Sequence, residues 1–433
     1  MKLMTARGVR DFPPEDKILR NELVDKLKRV FEVYGYSPLE TPIIERYEVL
    51  FAKAGAGQEA DATKETFTFK DQGDRDIGLR FELTLSFARF IGMNPNMKMP
   101  FKRYEFGPVF RDGPIKLGRY RQFWQCDVDI VGCKTGAVDA EIVALVLDVF
   151  KELGLDAYIE VNNRKILKGI IKFAGIKQSL ADSVIISIDK LSKLGADDVR
   201  KELEQKGVED TQVAKLLSLF DLRGTNEEKL SSLKSVIKND IGVEGLFELE
   251  ELFSYLSAEQ KKNVVFNVSL ARGLGYYTGT IYEGFVRNSE VTSSICGGGR
   301  YDDMVSQLLG SDKEYPCTGI SFGLDVITDV LKLLKIKAVK TVTGVYVIPI
   351  KTSKDCFKIC QELRSAGVSV DMDLSSKGIS KNLDYANSLG IPFVVFVGER
   401  ELRQGKVKLR DMVSGKEDFL SVKALVKRLK NNK

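Results

Sequence analysis

The sequence predicts an α+β protein: a unit built on a mostly antiparallel sheet, interrupted by a helical insertion and followed by a small α/β domain. Three observations carry this expectation. Short extended runs punctuated by glycine and proline crowd residues 65–130. Residues 165–258 turn to lysine, glutamate, serine and leucine with helical periodicity, and they lack Trp and Tyr until Tyr255. Beyond residue 344, apolar strand runs alternate with helical patterns, which is the mark of βαβ units.

The elements follow in order. Ile18, Leu19, Leu23, Leu27, Val30 and Phe31 fall on one face of a helix over 15–33. Tyr36 to Ile44 is extended but contains Pro38 and Pro42, and proline lacks the donor a central strand needs, so an edge or interface strand is expected. Extended runs follow at Thr66–Lys70, Ile77–Glu82, Lys102–Val109 and Tyr120–Val131, then a helix over Ala137–Leu153 and a strand from Ala157. After the insertion, strands are expected at Val264–Leu270, Gly279–Phe285 and Ser294–Gly298, and a helix at Leu324–Leu334. Strands at Val345–Ile350, Val368–Met372 and Phe393–Val397 alternate with helices at Lys354–Ser365 and Ile379–Leu389, predicting a mostly parallel second sheet. The expected domains are 1–164 with 259–334, an insertion at 165–258, a linker at 335–343 and a terminal domain at 344–433.

Composition narrows the function. At 433 residues the chain exceeds one core. Its 43% hydrophobic and 29% charged residues describe a globular protein, and no apolar run has membrane-spanning length. The amino-terminal stretch lacks a signal-like apolar run, so a cytoplasmic location is expected. Six scattered cysteines form no C-x-x-C pair, and there is no histidine at all, so neither a disulfide framework nor a structural metal site is expected. The missing histidines also remove any mechanism that needs a histidine base. A net charge of +5 is compatible with a polyanionic partner without establishing one.

Several segments carry chemistry. Phe110-Arg111-Asp112-Gly113-Pro114 and Gly118-Arg119-Tyr120-Arg121-Gln122-Phe123 place arginines, whose planar fork suits phosphate oxygens, around a turn. Gln125, Asp127 and Asp129 alternate with period two and share one face of a strand. Glu82 lies among apolar residues, read as part of an extended run, where a buried unpaired carboxylate would be costly. Arg272-Gly273-Leu274-Gly275-Tyr276-Tyr277-Thr278-Gly279 and Cys296-Gly297-Gly298-Gly299-Arg300-Tyr301-Asp302 set aromatic and cationic residues among glycines.

In this order these segments, with Gly8-Val9-Arg10-Asp11 ahead of them, resemble the motifs of class II aminoacyl-tRNA synthetases, and the Arg272 stretch resembles the signature of the histidyl-tRNA synthetase family. The resemblance implies the class II synthetase fold, an anticodon-binding domain at 344–433, and a homodimer through the motif 1-like segment Tyr36–Glu45. It implies activation of L-histidine with ATP and Mg²⁺ and transfer to tRNA(His). By resemblance Arg111 and Arg272 are catalytic and bind ATP, with Phe123 stacking on adenine. Glu82, Thr84, Gln125, Asp129, Tyr276, Tyr277 and Tyr301 would bind histidine, and Lys116, Arg119 and Arg121 would meet the tRNA acceptor end. An imidazole wants a carboxylate and a hydroxyl at opposite nitrogens, and Asp129 with Tyr277 could supply them, although Asp127 shares the same strand face. Asp129, where bacterial members often carry glutamate, suggests an archaeal or eukaryotic-like branch. Gly275 stands where many members have aspartate, and Val326, in Gly319–Val326, occupies the place of the usual motif 3 arginine. Two other readings fit the same residues: a non-catalytic paralogue that binds histidine or tRNA as a regulator, and a class II ligase for threonine or glycine.

Overall fold

The structure is a computed structural model that describes residues 3–52, 64–115, 118–273, 275–334 and 339–430. The chain divides into two compact units, Met1–Arg10 with Leu23–Lys335 and Asp11–Glu22 with Ile336–Lys433. Residues 335–338 of the expected linker lie outside the described residues.

The first unit is organised by an eight-stranded sheet. Its strands are β1 (Ser37–Pro38), β5 (Phe101–Phe110), β6 (Gln122–Val131), β7 (Ala157–Asn163), β8 (Val264–Phe266), β9 (Thr280–Val286), β10 (Cys296–Arg300) and β11 (Cys317–Gly323), in spatial order β1-β5-β6-β11-β10-β9-β7-β8. The two outermost pairings, β1 with β5 and β7 with β8, are parallel, and those between them are antiparallel. The proline-bearing β1 is an edge strand, as its missing donors require. β11 was not among the expected strands, yet it joins β6 to β10 at the middle of the sheet. Its Cys-Thr-Gly-Ile-Ser-Phe-Gly sequence has two glycines and no polar alternation, so it carries little strand signal.

A smaller sheet has the order β2-β4-β3, from β2 (Ile44–Arg46), β3 (Thr68–Lys70) and β4 (Asp76–Leu79). β4 ends before Glu82, which corrects the expectation of a strand there: Glu82 has φ −154° and ψ 170° and caps the amino terminus of a helix, Leu83–Met93. Leu83, Phe87 and Ile91, spaced by four, form that helix's buried face. The alternation through Leu79-Arg80-Phe81-Glu82-Leu83 imitates a strand and conceals where the helix begins. Phe31, near the end of the helix Pro14–Val33, is fully buried, and its ring lies 5.7–5.9 Å from those of Tyr104, Phe106 and Phe322.

Between β7 and β8 the chain is helical, with helices that include Arg164–Phe173, Ala181–Ile188, Ala196–Gln205, Asp210–Phe220, Asn226–Val236 and Asp240–Tyr255. Thr225 and Ser257 open helices with reciprocal capping boxes, each satisfying two otherwise orphaned backbone donors.

The second unit contains a five-stranded sheet of order β13-β12-β14-β15-β16, from β12 (Val345–Ile350), β13 (Val370–Met372), β14 (Phe393–Gly398), β15 (Val407–Asp411) and β16 (Glu417–Leu420). β13, β12 and β14 are parallel, whereas β15 and β16 are antiparallel, so the sheet is mixed rather than mostly parallel. The final hairpin escaped notice because Lys408, Arg410, Glu417 and Asp418 dilute its apolar pattern. Val345, Val347, Val395 and Val397 belong to one core cluster, and Tyr346, Ile348, Val394 and Phe396 to another, as strand alternation dictates.

β10 approaches β11 so closely that a methyl group at Gly298 would overlap the carbonyl oxygen of Gly319. Gly298→Ala is therefore expected to cost about 1–3 kcal/mol, the usual range for overpacking. A denaturation midpoint equal to that of the parent would contradict this packing.

Candidate active site

A cavity of about 540 Å³ opens over the sheet where β6, β11 and β10 lie side by side. β6 supplies Gln125, Asp127 and Asp129 from one face, β11 supplies Ser321, and β10 supplies Gly297 to Gly299. Glu82 and Thr84 enter from the start of the helix Leu83–Met93, Arg111 follows β5, and Arg272, Tyr276 and Tyr277 precede β9.

One part of this cavity is rich in acceptors. Glu82 is 5% exposed; Tyr276 Oη donates to its Oε2 at 3.1 Å, and Oε1 has no partner among the described residues. Burial pushes the Glu82 carboxyl up to about 7, against the opposing pull of Arg111. Among the described residues, Gln125 Nε2 donates to Ser321 Oγ at 2.9 Å, leaving buried Oε1 without a partner, and Asp127 Oδ1 is likewise unpartnered. Asp129 accepts from Tyr301 Oη and has Arg103 Nη2 2.8 Å from its Oδ2. Burial raises both Asp127 and Asp129, with the Arg103 guanidinium opposing it. Three lone acceptors, Glu82 Oε1, Gln125 Oε1 and Asp127 Oδ1, belong to residues that line one cavity and call for a ligand rich in donors.

The cationic groups are set differently. Arg111 lies over the rings of Phe81 and Phe123, 4.2 and 5.1 Å from their centroids. Its Nε donates to the Phe81 carbonyl at 3.3 Å, and among the described residues neither Nη group has a hydrogen bond. Burial lowers the Arg111 pKa, with Glu82 working against that shift. Arg272 adopts a left-handed φ of 57°, which costs a non-glycine residue roughly 1–2 kcal/mol. Its Nη1 donates to Glu283 Oε1 at 2.9 Å, and Ser294 Oγ donates to the same oxygen at 3.0 Å. Burial alone would lower the Arg272 pKa, but Tyr277 and Glu283 carry it above the ordinary value. The guanidinium runs through the space a side chain at Gly297 would fill.

The structure thus brings together Glu82, Thr84, Arg111, Phe123, Gln125, Asp129, Arg272, Tyr276, Tyr277 and Tyr301 in one cavity. Tyr276 packs on Tyr277 and Tyr301 with centroids 4.7 and 6.3 Å apart. Arg119 also lines the cavity and donates to Glu65 at 2.7 and 3.0 Å, whereas Arg121 pairs with Asp112 at 2.8 Å and is not in the lining. Lys116 lies outside the described residues. Val326 is part of the wall, and Gly275 is not; a Cβ there would meet nothing within 4 Å. Sequence reasoning missed Ser321, Arg103, Glu283 and Asp189. Of these, only Ser321, one position inside the motif 3-like segment, had a signal to follow.

The sequence pattern of the family described as histidyl-tRNA synthetase matches residues 8–327. The chain belongs to the histidyl-tRNA synthetase family. Residues 344–432 match the anticodon binding domain. Histidine--tRNA ligase 1 of Bacillus cereus is 41% identical over 431 residues, 98% of this chain and 99% of that protein. Histidine--tRNA ligase of Clostridium tetani is 36% identical over 98% of this chain and 97% of its own length. The crystal structure of histidyl-tRNA synthetase from Nostoc sp. PCC 7120 superposes with a TM-score of 0.87 at 31% identity, covering all of both chains. This synthetase accordingly has the class II fold, with an anticodon-binding domain that carries its own sheet.

The raised Glu82 pKa sets a pH dependence. A carboxyl whose pKa rises on folding holds its proton more tightly in the native state, so its contribution to stability declines from about pH 4.5 to about 7. A ligand ammonium needs the ionised form. L-histidine affinity should therefore strengthen as pH rises towards and past about 7, and Glu82→Gln should flatten that part of the profile in calorimetric titration. The ligand's imidazole, with a pKa of about 6.5, titrates in both proteins and cancels in the comparison. Parallel profiles for parent and variant would rule this out.

Proposed function

We propose that the cavity is where this histidine--tRNA ligase joins L-histidine to ATP, and that the three lone acceptors set opposite the arginines are what select the substrate. An amino acid presents an ammonium beside a carboxylate, and the cavity presents acceptors beside guanidiniums. In this reading Glu82, Thr84 and Gln125 take the α-ammonium, while Tyr276 and Tyr277 close over the side chain. Asp129, oriented by Tyr301 and with Asp127 next along the strand face, takes the imidazole. A substrate without matching donors would leave these acceptors buried and unpaired, so the discrimination is strong.

The first step needs no protein base, because the substrate carboxylate is already ionised. One of its oxygens attacks the α-phosphorus of ATP, the bond to the β-phosphate bridging oxygen breaks, and pyrophosphate leaves. Arg111 and Arg272 hold the α-phosphate oxygens between two anions that otherwise repel, so the catalysis is positioning and electrostatic stabilisation. Phe123 carries the adenine. Among the described residues no group of three or more Cys, Asp or Glu is placed to hold a metal ion. When bound with ATP, Mg²⁺ would supply charge neutralisation for the leaving pyrophosphate. In the second step a terminal ribose hydroxyl of tRNA(His) attacks the histidyl carbonyl and AMP leaves, with Arg119, Arg121 and Lys116 at the acceptor end.

The remaining assignments belong to the same reading. Residues 165–258 act as an insertion within a catalytic domain of 1–164 and 259–334, and 335–343 as the linker. Exposed Lys377 and Lys381 meet RNA phosphates. Exposed Ile43, Ile44, Tyr47 and Phe69, on and around the small sheet, form the surface of a homodimer. No described helix is long and apolar enough to cross a membrane, which suits a cytoplasmic enzyme. Asp129 is what favours an archaeal or eukaryotic-like branch, and the relatives compared above are bacterial.

Purified protein with ATP and Mg²⁺ should exchange pyrophosphate only when L-histidine is present, and Arg272→Ala should lose that exchange by at least about a hundred-fold without unfolding. Absence of exchange in the parent would favour a regulator, a reading that Val326 in the cavity wall supports. Lys377→Glu/Lys381→Glu should weaken tRNA charging and spare exchange. Equal charging by parent and variant would remove these lysines from the RNA surface.

A further inference from the structure

The segment that leads into Arg272 has almost no regular structure of its own. Between β8 and β9 the chain forms turns, and Arg272 sits there with positive φ. Such a conformation persists only when the surroundings impose it. The imposing groups come from one place, the last residues of β7 and the first of the helix that follows.

Asn162 is fully buried. Its Nδ2 donates to the carbonyls of both Val268 and Leu270, each at 2.8 Å. Arg164 is 1% exposed, and its Nη1 donates to the next carbonyl, that of Ala271, at 3.2 Å. The Arg164 backbone N–H donates to the Gly279 carbonyl at 2.8 Å, just before β9 begins. Two neighbouring side chains thus hold three carbonyls in the four residues preceding Arg272, and the same stretch of backbone fixes the far end of the loop. At the near end, Asn267 N–H donates to the Val161 carbonyl at 3.0 Å, and Asn267 Oδ1 accepts from Ser269 N–H and Oγ at 3.0 and 2.8 Å. Neither Asn162 nor Arg164 lines the cavity of the candidate active site.

A bare turn could be held by backbone bonds alone. Here two polar side chains are buried for the purpose, one of them a guanidinium whose burial depresses its pKa against the pull of Asp182 and Asp189. We infer that Asn162 and Arg164 are positioning residues for Arg272, a clamp that fixes the backbone from which its guanidinium reaches the reacting phosphate. The clamp rests on the reading of Arg272 as the catalytic arginine. Arg164 also lies 3.5 Å from Asp182 on the helix Ala181–Ile188, so the helical segment is attached to the clamp.

The test is histidine-dependent pyrophosphate exchange with kcat and KM separated. Asn162→Ala and Arg164→Met should each lower kcat by about ten-fold or more, with both KM values within about three-fold of the parent, because a small misplacement of a catalytic group costs rate rather than ground-state binding. Arg164→Lys, which keeps a charge and a donor, should recover more of kcat than Arg164→Met. In an Arg272→Lys background, Asn162→Ala should cost less than about two-fold more, since residues that act through one group are not additive. Unchanged kcat, a rise in KM alone, or full additivity would overturn the clamp. If Asn162→Ala does not fold, the Arg164 pair decides the matter alone. Full exchange by Arg272→Ala would instead sink the catalytic reading beneath it.

Discussion

Arg103 carries its charge with no exposure to solvent, and the floor of the cavity is arranged around that charge. It lies 2.8 Å from Asp129 and 3.4 Å from Glu105, with the ring of Phe87 4.5 Å away. Glu105 in turn lies 3.0 Å from Arg80 and accepts from both the backbone N–H and the hydroxyl of Thr41, at 2.9 and 2.7 Å. Arg80 continues to the carbonyls of Thr41 and Pro108, each at 2.9 Å. Removing one member of such a chain leaves an uncompensated buried charge, at a cost of roughly 3–5 kcal/mol. The chain therefore links three things that are distant in sequence: the proline-bearing edge segment, the turn into the helix Leu83–Met93, and the carboxylate of Asp129.

The ligand site inherits its polarity from this arrangement. Acidic groups cluster where β6 crosses the sheet, and their carboxylates are tolerable only because Arg103 and Ser321 lie among them. The guanidiniums of Arg111 and Arg272 in the cavity wall come from irregular segments after β5 and before β9, where aromatic rings and a few carbonyls set their direction. The sheet presents Gln125, Asp127 and Asp129, a helix start presents Glu82, and loops present the cations. That division suits a reaction whose two substrates are both anionic at the point where they meet.

Much of this was legible in the sequence, because the residues that line the cavity sit in segments with unusual composition. Gln125, Asp127 and Asp129 share a face by simple alternation, and the glycine-flanked tyrosines announce a backbone that must bend. What escaped was whatever depends on register. Arg103 and Glu105 look like ordinary alternating charges on a strand, and nothing local says that they are buried opposite Asp129 and Asp127 across the β5–β6 pair. The helix at Leu83 was hidden by an alternating run that continues into it. Ser321 lies in the motif 3-like segment, but its place beside the acidic face follows from the pairing of β11 with β6, opposite Asp127. Asp189 reaches the cavity from the helical segment, far from every motif.

The glycines of β10 and β11 bear no functional group, yet Gly297 leaves the path along which the Arg272 guanidinium runs, and Gly319 leaves room for the Asp129 carboxylate. The shape of the site is thus recorded partly in absent atoms. Every substitution at such a position adds matter, and none can be neutralised by a change of pH or of partner. A methyl group at Gly297 would displace the arginine while leaving every charged residue of the chain intact.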